Sequence, residues 1–362
     1  MSDPSCSPSN GQIQEVRGEG LYYSNGDIVL SAARAAEKPQ PNSETDAGTA
    51  STTPSSQATT VFFRVDRIIL CRHSTVLDSL LTIPAQDNAN EQYDGVVHVR
   101  MSDNADDLAM LLRAIYDIGS LPLNAYDPEL PLNIMGVLKL ANKYDVVVVR
   151  SAIVSCLTKA WPQTLEEYDR LELLIQDSIH QCCRSSHGML HGFNVYKGFP
   201  EPASAVYLGI ECRVPEILPA AFYRLALTDS TRSWDESGDK SSTLARYEYP
   251  AKWHLIRGNA DALWRVLLVK GKLQRRRESG HGIQFTTLRT CKGSCNNAFG
   301  DLTGTGNDTD DFLNALKILE EVADNGELCV KCERVAFRKI RNERQNFWNE
   351  LTRVFEIDAL YQ

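Results

Sequence analysis

Apolar residues recur along this chain at two periods, and the change of period marks the elements. Asp27-Ile28-Val29-Leu30 and Val61-Phe62-Phe63-Arg64-Val65 are short β-prone runs. Between them, from about Glu37 to Thr60, there is no aromatic or large aliphatic side chain. With nothing to bury, that segment is expected to be a disordered insertion between two neighbouring strands. After the second strand, Ser74 is placed to cap a helix carrying Val76, Leu77, Leu80 and Leu81 on one face and ended by Pro84. From Gly95 to Arg100, Val97 and Val99 alternate with His98 and Arg100, the period of a strand with one buried face. Asp103 or Asn104 can cap the next helix, in which Leu108, Leu111, Leu112, Ile115 and Tyr116 fall at helical spacing. Ile134, Val137, Leu138 and Ala141 mark a further helix, and another begins within Val146 to Val149 and runs through Ile153 and Leu157. This order predicts an α/β domain over residues 21–160, a short sheet flanked by helices.

From Trp161 onward the strand signals fade. Helices are expected at Glu166 to Ile179, Ser204 to Cys212, Pro215 to Leu227, Asp261 to Leu273, Asp310 to Val322 and from Cys329 towards Phe355. The polar stretches Thr228 to Tyr249 and Gly300 to Thr309 read as loops. Residues 161–362 therefore form an all-helical C-terminal region, and the fold class expected of the whole is α+β. Residues 1–20 hold only Ile13 and Val16 as isolated large apolar side chains, too few to offset the entropy of ordering, and read as a disordered tail.

Composition narrows the function classes. The 362 residues include 38 Lys+Arg and 47 Asp+Glu, a net charge of -9, with 43% hydrophobic residues. That suffices for two cores and argues against a general nucleic-acid coat, whose binding rests on cations that release counterions. No run approaches the roughly 20 apolar residues of a membrane span, and MSDPSCSPSNGQ has neither the basic nor the apolar part of a signal peptide. The expectation is an intracellular protein, in cytoplasm or nucleus, whose ten cysteines are thiols or metal ligands.

One family resemblance rests on specific residues. The run Phe63-Arg64-Val65-Asp66-Arg67-Ile68-Ile69-Leu70-Cys71-Arg72-His73-Ser74-Thr75-Val76-Leu77 resembles the core signature of BTB/POZ domains, F-x-x-H-x-x-x-L-x-x-x-S-x-x-F. Leu111 to Tyr116 and Leu138 to Tyr144 are similar to that family's helix-rich second half, and Gly26 to Leu30 to its first strand. Asp66 stands where many members carry a buried His, and Leu77 where they carry Phe; a carboxylate buried there needs a hydrogen-bonding partner. Trp161 to Tyr168, Pro202 to Val206, Leu218 to Tyr223 and the paired cysteines near the end are similar to uncharacterised BTB proteins of mushroom-forming fungi. The resemblance implies a non-enzymatic interaction module or adaptor that self-associates or docks proteins such as cullin-type ubiquitin ligases or transcriptional co-regulators. It brings no catalytic residues. Because the N-terminal tail lacks an amphipathic helix to exchange, any homodimer is expected to be weak or to use another surface.

The strongest chemical pattern is Cys291-x-x-x-Cys295 followed by Cys329-x-x-Cys332. Two close pairs can supply four thiolates to a tetrahedral zinc; buried thiols and a disulfide are the competing readings. His187 and His191 share a spacing with metalloprotease ligands, but Gly188 stands where a Glu base is needed. Phosphate-loop and nucleophile-elbow motifs are absent, so enzymatic function has no support in the sequence. Basic clusters occur at Lys270 to Arg277 and at Lys331, Arg334, Arg338, Lys339, Arg341 and Arg344. The alternative to the adaptor is therefore a zinc-containing nuclear regulator contacting nucleic acid through these clusters, although the net charge makes nucleic acid the less favoured partner. In the last helix Val335, Ile340, Phe347 and Leu351 are the expected core stripe.

Overall fold

The computed structural model describes residues 14–34, 59–82, 92–185, 198–231, 251–278, 311–324 and 329–361. The chain divides into two compact units, Met1–Leu123 with Ile134–Ile153, and Asn124–Asn133 with Val154–Gln362.

The first unit is built on a five-stranded sheet in the order β1-β3-β2-β5-β4. Its strands are β1 (Gln14–Tyr22), β2 (Ile28–Arg34), β3 (Thr59–Val65), β4 (Gln92–Tyr93) and β5 (Val96–Asn104). β2 is central and reads as an apolar run because both its faces are covered: Ile28, Val29 and Leu30 are buried. It pairs antiparallel with β3, from Ile28 opposite Val65 to Arg34 opposite Thr59, so the two strands flanking the polar insertion are sheet neighbours, as expected. Residues 35–58 of the insertion lie outside the described residues, and its expected last two, Thr59 and Thr60, belong to β3.

Two expectations need correction. β1 begins at Gln14, so residues 14–20 are strand rather than tail; they pair in parallel with β3, Gln14 opposite Thr59 to Arg17 opposite Phe62. A polar edge strand of this kind takes its order from a partner more than 40 positions away, which no local pattern records. In β5, Val97 is 40% exposed while His98 and Val99 are both half-buried, so the expected split into one apolar and one polar face is not kept. The reason is a second cluster on the sheet: His98 lies 5.5 Å from the Phe62 ring, and Phe62 stacks on Tyr93 at 4.2 Å. His98 Nε2 is 2.8 Å from the buried Ser31 hydroxyl.

The two edges of the sheet meet through side chains, because the sheet curls. Arg17 of β1 pairs with Asp94 beyond β4 at 2.8 Å, and the Tyr22 hydroxyl donates to the same carboxylate at 2.5 Å. Burial, with Asp94 alongside, pushes the Tyr22 hydroxyl up to about 12. Asp94 and Gly95 both have positive φ, 50° and 77°, the signature of a tight two-residue hairpin turn.

Helices α1 (Arg67–His73), α2 (Thr75–Thr82), α3 (Ala105–Tyr116), α4 (Leu130–Lys143) and α5 (Val147–Ala160) complete this part of the chain. α3 follows its predicted face, with Leu108, Leu111, Leu112 and Ile115 all buried, and so does α4, with Ile134, Val137, Leu138 and Ala141 at 1% exposure or less. Asn104, rather than Asp103, caps α3: its side-chain oxygen accepts from the Asp106 and Asp107 amides at 2.8 and 3.3 Å. α3 and α4 come close at Gly136, where a Cβ would lie 1.9 Å from an Asp107 carboxylate oxygen.

The second unit is helical. Its further elements are α6 (Leu165–Ser185), α7 (Pro202–Glu211), α8 (Leu218–Ala226), α9 (His254–Arg257), α10 (Ala260–Glu278), α11 (Phe312–Asp324) and α12 (Val330–Val354). A 3-10 turn, Pro215–Ile217, precedes α8 where one helix was expected. Buried charges link these helices. The Arg344 guanidinium is 6% exposed and forms a fork on Asp169 of α6 at 2.5 and 3.1 Å. Arg224 of α8 pairs with Glu172 of α6 and lies over the Tyr168 ring. The Tyr223 hydroxyl donates to Asp311 at 2.7 Å, while Asp311 caps α11 by accepting from the Asn314 amide. Buried Glu201 caps α7 and also accepts from the Lys252 amide at 2.9 Å; burial pushes its carboxyl above the usual carboxylate range.

Candidate interaction surface

Sequence reasoning named α2 and missed α1, and the two form the candidate surface. Cys71 hydrogen-bonds with Asp78, and Arg67 donates to the Thr82 hydroxyl at 3.3 Å, so α1 and α2 run antiparallel as a short hairpin. Burial raises the Cys71 thiol above its ordinary pKa, and Asp78 adds to this, which favours the protonated thiol.

Hydroxyls hold the hairpin in place. Ser74 sits in the turn between the helices, where its hydroxyl accepts from the Leu77 amide at 2.9 Å, as the expected cap does, and donates to the Tyr144 carbonyl. The Tyr116 hydroxyl accepts from the Asp66 amide and donates to the Asp66 carboxylate, both at 2.8 Å. Asp66 is thus half-buried with the partner that a carboxylate needs at this position. Asp27 adds an acceptor for the Arg67 amide at 2.7 Å, capping the first turn of α1 from β2's approach.

With the hairpin held this way, Leu70, Leu77 and Leu81 point into the core and are buried. Three large apolar side chains remain outside among polar ones. Ile68 is 77% exposed, Val76 40% and Leu80 41%, so the predicted single apolar face of α2 is split between core and solvent. Leaving three large aliphatic side chains of one hairpin in water forgoes several kcal/mol of burial, at about 1.5–3 kcal/mol for each fully buried side chain. Exposed apolar clusters of this sort mark docking faces. Val147 and Val148 of the same unit are also exposed, at 59% and 53%, after the positive-φ residue Asp145.

The residues singled out for metal and charge chemistry are placed differently. Cys329 is exposed at the N-cap of α12 and Cys332 is buried one turn on, which puts them on the same side of the helix start. Cys291 and Cys295 lie outside the described residues, as do His187 and His191. Among the described residues no cluster of three or more metal-ligating side chains occurs. Of the first basic cluster, Lys270 is engaged structurally, donating to the Thr228 carbonyl at 2.5 Å and lying over the Trp253 ring. On α12, Ile340, Phe347 and Leu351 are buried as expected, but Val335 is 38% exposed; Ala336 and Cys332 take its place in the core stripe. Among the described residues no helix is long and apolar enough to cross a membrane.

Comparison with known proteins fits this geometry. Residues 56–160 match the BTB/POZ domain family, and these residues are a BTB/POZ domain, a protein–protein interaction module of a kind that is typically non-enzymatic. β1 and β2 precede the matched region and complete its sheet. No curated protein matches the chain. No solved structure matches it either.

Proposed function

We propose that the chain is a non-enzymatic adaptor whose BTB/POZ domain docks proteins through the solvent face of the α1–α2 hairpin, and that a second copy is one such partner, bound weakly. The observation carrying this reading is the trio Ile68, Val76 and Leu80, exposed on a hairpin that four hydroxyl contacts of Ser74 and Tyr116 tie to the domain. A rigid apolar face binds without a large ordering cost. The intracellular setting and a ubiquitin-ligase or transcriptional partner belong to the same proposal, as does kinship of the whole chain with the BTB proteins of mushroom-forming fungi. The second unit then serves as scaffold or as a holder of a further partner. The test is affinity capture from a cell extract with the full chain and with Ile68→Asp/Leu80→Asp, read by mass spectrometry. Recovery of a cullin or a co-regulator by the native chain alone supports the reading; identical recovery by both removes the hairpin from it.

We also propose that Cys329 and Cys332 supply two of four thiolates to a structural zinc, with Cys291 and Cys295 supplying the others. The spacing of Cys329 and Cys332 at a helix start supports it, since one turn separates two sulfurs on one side. Elemental analysis of protein purified without added metal should find about one zinc per chain on a four-thiolate stoichiometry. Cys332→Ser should then lose it, and a metal-free native chain refutes the site.

A further inference from the structure

We propose that the exposed face of α12 docks an acidic protein segment that also carries apolar side chains. Lys331, Arg334 and Arg338 follow one another at intervals of three and four residues, which sets them on one side of the helix over about 10 Å. All three are exposed, and among the described residues none has an ion-pair or hydrogen-bond partner. The cations further along the helix are engaged otherwise: Lys339 is half-buried and has an interaction of its own. Arg341 pairs with Glu320 at 2.5 Å and lies over the Phe337 ring, and Arg344 is buried on Asp169. Apolar atoms interleave with the free charges: Val330 is 64% exposed and Val335 38%. The sign is local, since the whole chain carries -9. An anionic occupant is therefore the complementary one.

Three features favour a protein segment over a nucleic acid. Each neutralised phosphate contributes a salt-dependent increment, and three free cations supply few of the 6–10 contacts of a typical DNA-binding surface, roughly a third to a half. The net negative charge of the rest of the chain repels a long polyanion more than it repels a short acidic peptide. Base stacking needs an exposed ring, whereas Phe337 is half-buried and Phe347 and Trp348 are buried. Carboxylates can meet the three cations while leucine-like side chains cover the two valines, a pairing that a sugar-phosphate backbone cannot make.

The experiment uses the full chain and a short fluorescent peptide with Glu and Asp at one helical face and Leu between them, read by anisotropy at low and physiological salt. Binding is expected to be salt-sensitive and to weaken about tenfold in Arg334→Glu/Arg338→Glu. Replacing the peptide's Leu by Ser should weaken it several-fold, because the valines then lose their cover. Arg334→Lys/Arg338→Lys should keep most of the affinity, and circular dichroism should be unchanged in both variants, since the positions are exposed. An affinity unmoved by charge reversal overturns the proposal, as does absence of binding. A DNA duplex that binds at least as tightly as the peptide overturns it in favour of nucleic acid.

Discussion

The two units keep different kinds of polar group inside. In the first, the inner polar contacts are made by hydroxyls, buried or half-buried: Tyr116 on Asp66, Tyr144 on Asp103 and Ser74 on the Tyr144 carbonyl. The second has hydroxyl contacts too, such as Tyr223 on Asp311, but adds full charges: Arg344 on Asp169, Arg224 on Glu172, and Glu201 at the start of α7. The difference follows from what fixes register. A sheet fixes it through its ladder, and β2 is held residue by residue on both sides, by β3 and by β5. Helices packed on helices have no ladder and can slide by a turn at modest cost, so directional side-chain pairs between α6, α8 and α12 supply the register instead.

The largest expected effect tests the apolar side of this contrast. Leu112, 1% exposed on α3, should lose about 3 kcal/mol on Leu112→Ala, within the range for buried leucine, read by denaturant unfolding. A cost under about 0.5 kcal/mol would place it at the surface and undo the helix register. Next comes the asymmetry of a buried ion pair. Asp169→Ala leaves Arg344 buried without its main partner and should cost about 2–3 kcal/mol, softened by Glu320 at 3.9 Å. Arg344→Met leaves Asp169, whose side chain is 27% exposed, reachable by water, and should cost roughly 1 kcal/mol. The opposite order would show that charge, not register, is what the pair contributes.

A smaller effect is expected from one hydroxyl. Tyr116→Phe removes an acceptor for the Asp66 amide and a donor to its carboxylate, and should cost about 1–2 kcal/mol in the thermal or denaturant transition. An unchanged transition would mean that water replaces the hydroxyl at no cost. The smallest effect appears only at high pH. Burial, then the Asp103 carboxylate it donates to, pushes the Tyr144 hydroxyl up to about 12. The folded chain therefore holds this proton more tightly than the unfolded one. Its contribution to stability is whole below the ordinary tyrosine value of about 10 and disappears as pH rises through 12. Tyr144→Phe should show a shallower alkaline loss of stability than the native chain; parallel curves would assign the loss elsewhere.

Legibility in the sequence tracked locality. α3 and α4 were readable because their inner faces repeat at helical spacing over three turns or more. α1 was not, since it is only seven residues long and Ile68, its most visible apolar residue, faces outward. The same outward residue belongs to the proposed docking face, so the feature that hid the helix is also the one that marks the surface. β4 was missed although Asp94-Gly95 is a strong hairpin signal; its strand is two residues long and carries no alternation. Val335 misled in the opposite direction, an apolar residue at near-core spacing that the long α12 leaves in solvent beside three cations.

The account rests above all on the hairpin face as a docking surface, and sedimentation of the full chain over a wide concentration range tests it most directly. The native chain should rise from its monomer mass of 40.4 kDa towards a dimer with increasing concentration. Ile68→Asp/Leu80→Asp, which alters only exposed positions, should hold the monomer mass throughout while unfolding at the same temperature. A native chain that stays monomeric at every concentration, or a variant that associates as the native chain does, would contradict the claim.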